Sequence, residues 1–101
     1  MKVLLYEPGK DPVEKESENQ PKALQTIVGG QIETLPVTRE LILVCNEDGK
    51  RQHLKPNRAL YLGREWFDNI HGTFFVCRFR DEDFDGVLPG DREKADRHLI
   101  L

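Results

Sequence analysis

VGGQIETLPV (residues 28–37) followed by LILVCNEDGKRQHLKPNRALYL (residues 41–62) is the stretch from which the fold is read. A helix ends at its start, where Gly29 supplies the left-handed C′ residue that glycine takes most easily. Gln31 to Val37 follows as a strand. Leu35 and Val37 share one face and Ile32 the other, and Pro36, with no N–H to give a ladder, places the strand at an edge or at its end. Leu41 to Cys45 is the strongest strand signal in the chain. It is apolar on both faces, so both faces are expected to be covered. Asn46-Glu47-Asp48-Gly49 reads as a hairpin turn, with Asp48-Gly49 tolerating positive φ. Lys50 to Leu54 then returns as a short polar strand, and Lys55 to Leu60 is a loop or a single helical turn.

Upstream, Val3 to Tyr6 is a strand that Pro8-Gly9 ends with a turn. The charged residues 12–19 form an edge strand or a loose loop, since charge on an edge blocks unwanted pairing. Pro21 to Val28 reads as a helix with Asn19 as cap, Pro21 in the first turn, and Leu24, Ile27 and Val28 as its apolar stripe. Downstream, Trp66, Phe67 and Ile70 read as an apolar turn docking on the core. Thr73 to Arg80 is a strand with Phe75, Cys77 and Phe79 on one face. Phe74 and Val76 lie on the other, which turns charged at Arg78 and Arg80. Asp81 to Gly86 is an acidic loop, and Asp91 caps a final helix with Ala95 and Leu99 on its apolar side.

The expected fold is therefore α+β: one domain, with a mixed or antiparallel sheet of about four to six strands. One helix packs after the first strands and another closes the chain. The expected core is Val3, Leu5, Leu24, Ile27, Val28, Ile32, Leu43, Cys45, Leu60, Ile70, Phe75 and Cys77. At 101 residues, 38% hydrophobic and 33% charged, the chain buries only a modest core. No apolar run approaches the ~20 residues of a membrane span. The first apolar run is too short for a signal-peptide core, so a cytoplasmic location is expected. Net charge is −3. The middle of the chain is mildly basic between two acidic ends, too weak a field to predict nucleic-acid binding by itself.

Four motifs carry a resemblance: VGGQIE (28–33), LVCNEDGK (43–50), PNRAL (56–60) and GTFFV (72–76). They resemble a family of small bacterial domains of unknown function found on plasmids, integrated elements and phages, often near antirestriction genes. The likeness runs from Val3 to about Phe84 and is weaker beyond. It implies a compact α+β domain in a mobile-element context and supplies no catalytic residues.

The best candidate binding segment is Lys50, Arg51, His53, Lys55, Asn57 and Arg58, four cations and a histidine close together in sequence with a proline fixing the loop. Arg58 could clamp a phosphate or carboxylate, with Tyr61 or Trp66 adding a stacking surface. The competing reading is a solvated hairpin whose Asn57 and Arg58 only hold the loop. Gly29-Gly30 lies at the wrong helix end for a phosphate site. Cys45 and Cys77 read as buried free thiols, and no local signature joins either to His53 or His71 for nucleophilic catalysis. Histidines and cysteines lack metal-ligand spacing. The acidic 81–85 run needs no chemistry. The sequence thus predicts a non-enzymatic interaction module without cofactor or metal, binding an unknown protein partner or forming a homodimer, with the exposed 13–17 edge as one route. A weak nucleic-acid or anion binder through Lys50–Arg58 is the second reading, and a thiol enzyme the third.

Overall fold

The computed structural model describes residues 1–101. Its elements are β1 (Lys2–Tyr6), β2 (Val13–Glu16), α1 (Pro21–Val28), β3 (Ile32–Pro36), β4 (Leu41–Asn46), β5 (Pro56–Leu62), β6 (Glu65–His71), β7 (Phe74–Arg80), β8 (Asp83–Asp85), α2 (Asp91–Asp96) and β9 (Leu99–Ile100). Six strands form one antiparallel sheet in the order β2-β1-β7-β4-β3, with β8 paired to the far end of β7. A second antiparallel sheet has the order β6-β5-β9.

Strand alternation sorts the apolar side chains into two cores. On one face of the large sheet, Val3, Leu5, Val44, Phe75 and Cys77 pack with Leu24 and Val28 of α1. On the other, Leu4, Tyr6, Leu41, Leu43, Cys45, Phe74 and Val76 pack with Leu60, Ile70 and Leu99 of the small sheet. The register Leu4↔Val76, Leu5↔Phe75, Tyr6↔Phe74 keeps these sets on opposite faces. The result is three layers: helix, large sheet, small sheet. β4 is covered on both sides, as its two-sided apolar run predicts, and β3 with Pro36 lies at the edge. Ile27 and Ile32, expected in the core, are only partly buried at its rim. No helix is long and apolar enough to cross a membrane.

Several expectations are corrected. The return strand at Lys50–Leu54 is absent. Asn46 accepts the Asp48 N–H through Oδ1 and donates to the Val28 carbonyl and to Gln52, so a side-chain turn starts a coil in place of a hairpin. The coil continues through Gln52 N–H to Asp48, His53 N–H to Lys50 and Leu54 N–H to Gly49, and His53 takes φ 57°. Gly49 serves close approach, not positive φ: a Cβ there would lie 2.7 Å from the His71 carbonyl oxygen. Residues 56–60, expected as loop, are β5, with Pro56 at its first position, where a ladder N–H is dispensable. Trp66 and Phe67 do not dock on the core. They lie in β6, a hairpin partner of β5, and stand exposed.

Asn19 does not cap α1. Gln20 holds that position without a side-chain bond, and Asn19 reaches Asp83 and the Phe84 carbonyl instead. The acidic loop contains a tight turn at Asp81-Glu82, both at positive φ, and the strand β8. Phe79 is exposed, edge-on to Phe84. The final helix is six residues long and starts after Gly90, and Leu99 belongs to β9. Asp91 is not a cap but is wholly buried, where it pairs with Arg78, itself expected on the surface.

Candidate functional site

The coil between β4 and β5 divides the basic segment. Lys50 pairs with Asp68 at 2.5 Å and Arg51 with Asp48 at 3.4 Å. Both line a cavity of about 290 Å³ together with Glu33, Glu47, Asp48, Asp68 and His71. Four carboxylates there face two cations, so the cavity does not concentrate positive charge. His53 and Lys55 are exposed, and Lys55 lines a separate hollow beside Gly29 and Gly72. The structure therefore brings Lys50 and Arg51 together and leaves His53 and Lys55 apart from them.

Asn57 and Arg58 turn inward. Asn57 donates to the carbonyls of Tyr6 and Gly72 at 2.9 and 2.8 Å, and its own oxygen accepts from Arg58 Nη1 at 2.8 Å. Arg58 Nη2 donates to the Lys10 carbonyl at 2.7 Å, and the guanidinium lies 5.4 Å from the centroid of the Tyr6 ring. Tyr6 stacks on Phe74 at 4.8 Å and donates to Asp96. Burial, then the Asp96 hydrogen bond and charge, hold the Tyr6 hydroxyl above its ordinary pKa. A register shift between Pro56 and Arg58 puts both Asn57 and Arg58 on the inside. The network ties β1, β5, β7 and α2 together. Asn57→Ala leaves two carbonyls and an arginine N–H without their partners, and an equilibrium denaturation is expected to show a loss of roughly 2–3 kcal/mol. A loss under roughly 0.5 kcal/mol would show that Asn57 does not hold the fold.

The thiols are free and buried. Burial pushes Cys45 up to about 12, with the carboxylates of Glu33 and Asp68 adding and Lys50 opposing. Burial pushes Cys77 up to about 12 as well. Thiols so placed are protonated near neutrality and are weak nucleophiles. No three His, Cys, Asp or Glu side chains gather closely enough to hold a metal.

The small sheet has a second, outward face. Leu60 and Ile70 point into the core, so their neighbours along the chain, Ala59, Tyr61 and Asn69, point out. Tyr61 pairs with Trp66, and its main-chain N–H donates to the His98 carbonyl, giving a row Trp66, Tyr61, His98. Ala59 pairs with Asn69 and Ile100 in a second row. Trp66 is 55% exposed, Phe67 45%, Ile100 48% and the following Leu101 83%. Trp66 Nε1 donates to Asn69 Oδ1 at 2.9 Å, which ties the indole of one row to the next. The sequence offers Tyr61 or Trp66 as a stacking surface beside the basic segment and does not pair them. Their meeting depends on the Gly63 turn, at φ 64°, and the pairing of β9 with β5 has no local signal at all.

Against this background, a family described as a domain of unknown function, DUF3846, matches residues 1–99. No curated protein and no solved structure matches the chain.

Proposed function

We propose that this chain, which belongs to the DUF3846 family, is a non-enzymatic interaction module that binds a protein partner through the outer face of its small sheet. The mobile-element setting is the one that the motif resemblance implies. The observation that carries the reading is the clustering of exposed apolar side chains. Of seven large ones, Trp66, Phe67, Ile100 and Leu101 belong to this sheet or directly follow it. Exposed apolar surface rimmed by polar residues is typical of interaction sites, and tryptophan and tyrosine are frequent anchors. Arg64 at the hairpin tip and Arg97 before β9 are exposed and form no ion pair. A partner with an apolar centre and an acidic rim complements them, whereas a second copy would bring the same arginines into one interface. Strand addition at β2 is less favoured, because its four residues Val-Glu-Lys-Glu carry the alternating charges that protect an edge.

The test is affinity capture from lysate of the source cells with the wild-type chain and two surface variants. One discrete protein should be retained by the wild type and by a Lys50→Ala, Arg51→Ala double variant. Trp66→Ser should weaken that binding by about 2 kcal/mol, roughly 30-fold, when measured with the purified partner. Equal retention by Trp66→Ser would overturn the reading. If the retained material is single-stranded nucleic acid whose binding falls steeply with salt, the aromatic row is a base-stacking platform and the protein-binding reading fails.

A further inference from the structure

A second cavity, of about 280 Å³, lies where the turn between β3 and β4 meets β7 and α2, and it is lined by Thr38, Arg39, Glu40, Leu41, Arg78 and Lys94. Arg78 is nine-tenths buried and spends Nε and Nη2 on the two oxygens of Asp91, at 2.8 and 2.9 Å. Its remaining arm, Nη1, donates at 2.6 Å to Glu40 Oε2. The Glu40 side chain is 63% exposed, so this carboxylate reaches the arginine from the solvent side. Arg39 and Lys94 line the same cavity and form no ion pair of their own. Counting Asp91, three cations face two carboxylates, and the cavity keeps a positive excess even with Glu40 in place.

We infer that this cavity is a carboxylate-binding site which the chain closes with its own Glu40, and that an external dicarboxylate displaces it. Asp91 fixes the guanidinium, so the donor is preorganised and its orientation adds no ordering cost on binding. Glu40 is a displaceable occupant, because its own side chain stands mostly in water and gives up rotamer freedom when held on the arginine. A ligand with one carboxylate on Arg78 Nη1 offers its second to Arg39 and Lys94, which Glu40 alone leaves unpaired. Adjacent acidic side chains on a peptide and a small dicarboxylic acid share this chemistry.

Amide NMR titration of the full chain at low ionic strength tests the site, with succinate and with a blocked Glu-Glu dipeptide as probes. Either probe is expected to shift the amides of Thr38 to Leu41 and of Arg78. Glu40→Ala, a surface change that leaves the Arg78–Asp91 pair intact, should lower the half-saturating concentration at least fivefold. Lys94→Met in that background should raise it again at least fivefold. Tighter binding of the dipeptide assigns the site to an acidic peptide, and tighter binding of succinate to a small acid. An unchanged half-saturation in Glu40→Ala, or binding indifferent to Lys94→Met, would overturn the inference.

Discussion

Asp91→Ala is expected to remove about 3–5 kcal/mol from a folding free energy on the order of 5–15 kcal/mol. The carboxylate is wholly buried, accepts two arms of Arg78, and also accepts the Leu88 N–H at 2.7 Å. Alanine leaves the guanidinium in a low-dielectric pocket with two donors unpaired, and the exposed Glu40 cannot replace a ligand held from inside. Urea unfolding followed by circular dichroism gives the number, and a loss below about 1 kcal/mol would refute it. Acid adds a second signature. Burial pushes the Asp91 carboxyl up, but the hydrogen bonds and charge of Arg78 and the Leu88 N–H outweigh it and hold its pKa below the ordinary value. The folded state therefore binds this proton less readily than the unfolded chain. The stabilisation is fully present above the ordinary carboxylate range, about pH 4, and is lost as pH falls through the depressed folded value. Wild-type stability should decline below about pH 4, and Asp91→Asn should show a flatter profile in that window.

Phe74→Ala should cost a similar amount, about 3–5 kcal/mol. The ring is fully buried between the two sheets and stacks nearly parallel to Tyr6, with an interplanar angle of 6°. Removing it opens a cavity and frees Tyr6, the ring against which the Arg58 guanidinium is set. The damage therefore spreads to β5. Phe74→Ala and Arg58→Ala combined should cost less than the two separate losses added together, because each depends on an ordered Tyr6. A denaturation-based double-mutant cycle measures this. Simple additivity would show that the stack does not couple the strands.

The centre of the large sheet was legible because its strands announce themselves locally, whereas β8 lay hidden in an acidic run that reads as loop. Leu41–Cys45 and Phe74–Cys77 are apolar on both faces, and Pro36 marks an edge. The small sheet was not legible. Its strand β5 begins with proline and carries Asn57 and Arg58, whose polarity reads as surface until their partners are known. Those partners are the carbonyls of Tyr6, Lys10 and Gly72, distant in sequence. Arg78 misled in the same way: its charge predicts exposure, while Asp91 pairs with it from the far side of a turn, a strand and a loop. The hairpin expected at Asp48-Gly49 was defeated by Asn46, whose side chain bonds the local backbone in a way that composition does not disclose. The basic segment was visible as charge density. Which of its members face a cavity, which face solvent and which lie underneath is decided by the coil and by the register shift in β5.

The antiparallel pairings also order events in time. Residue 4 meets residue 76, and residue 60 meets residue 99. During synthesis β1 waits, with only β2 beside it, until β7 emerges. β5 and β6 can zip at once, but β5 keeps one open edge until residues 98–100 have left the ribosome. Such distant pairings make for slow, loop-limited folding. The nascent chain thus carries an open edge on β1 until β7 has emerged and on β5 until β9 has, and these intervals are where it is most exposed to aggregation or to capture by a chaperone.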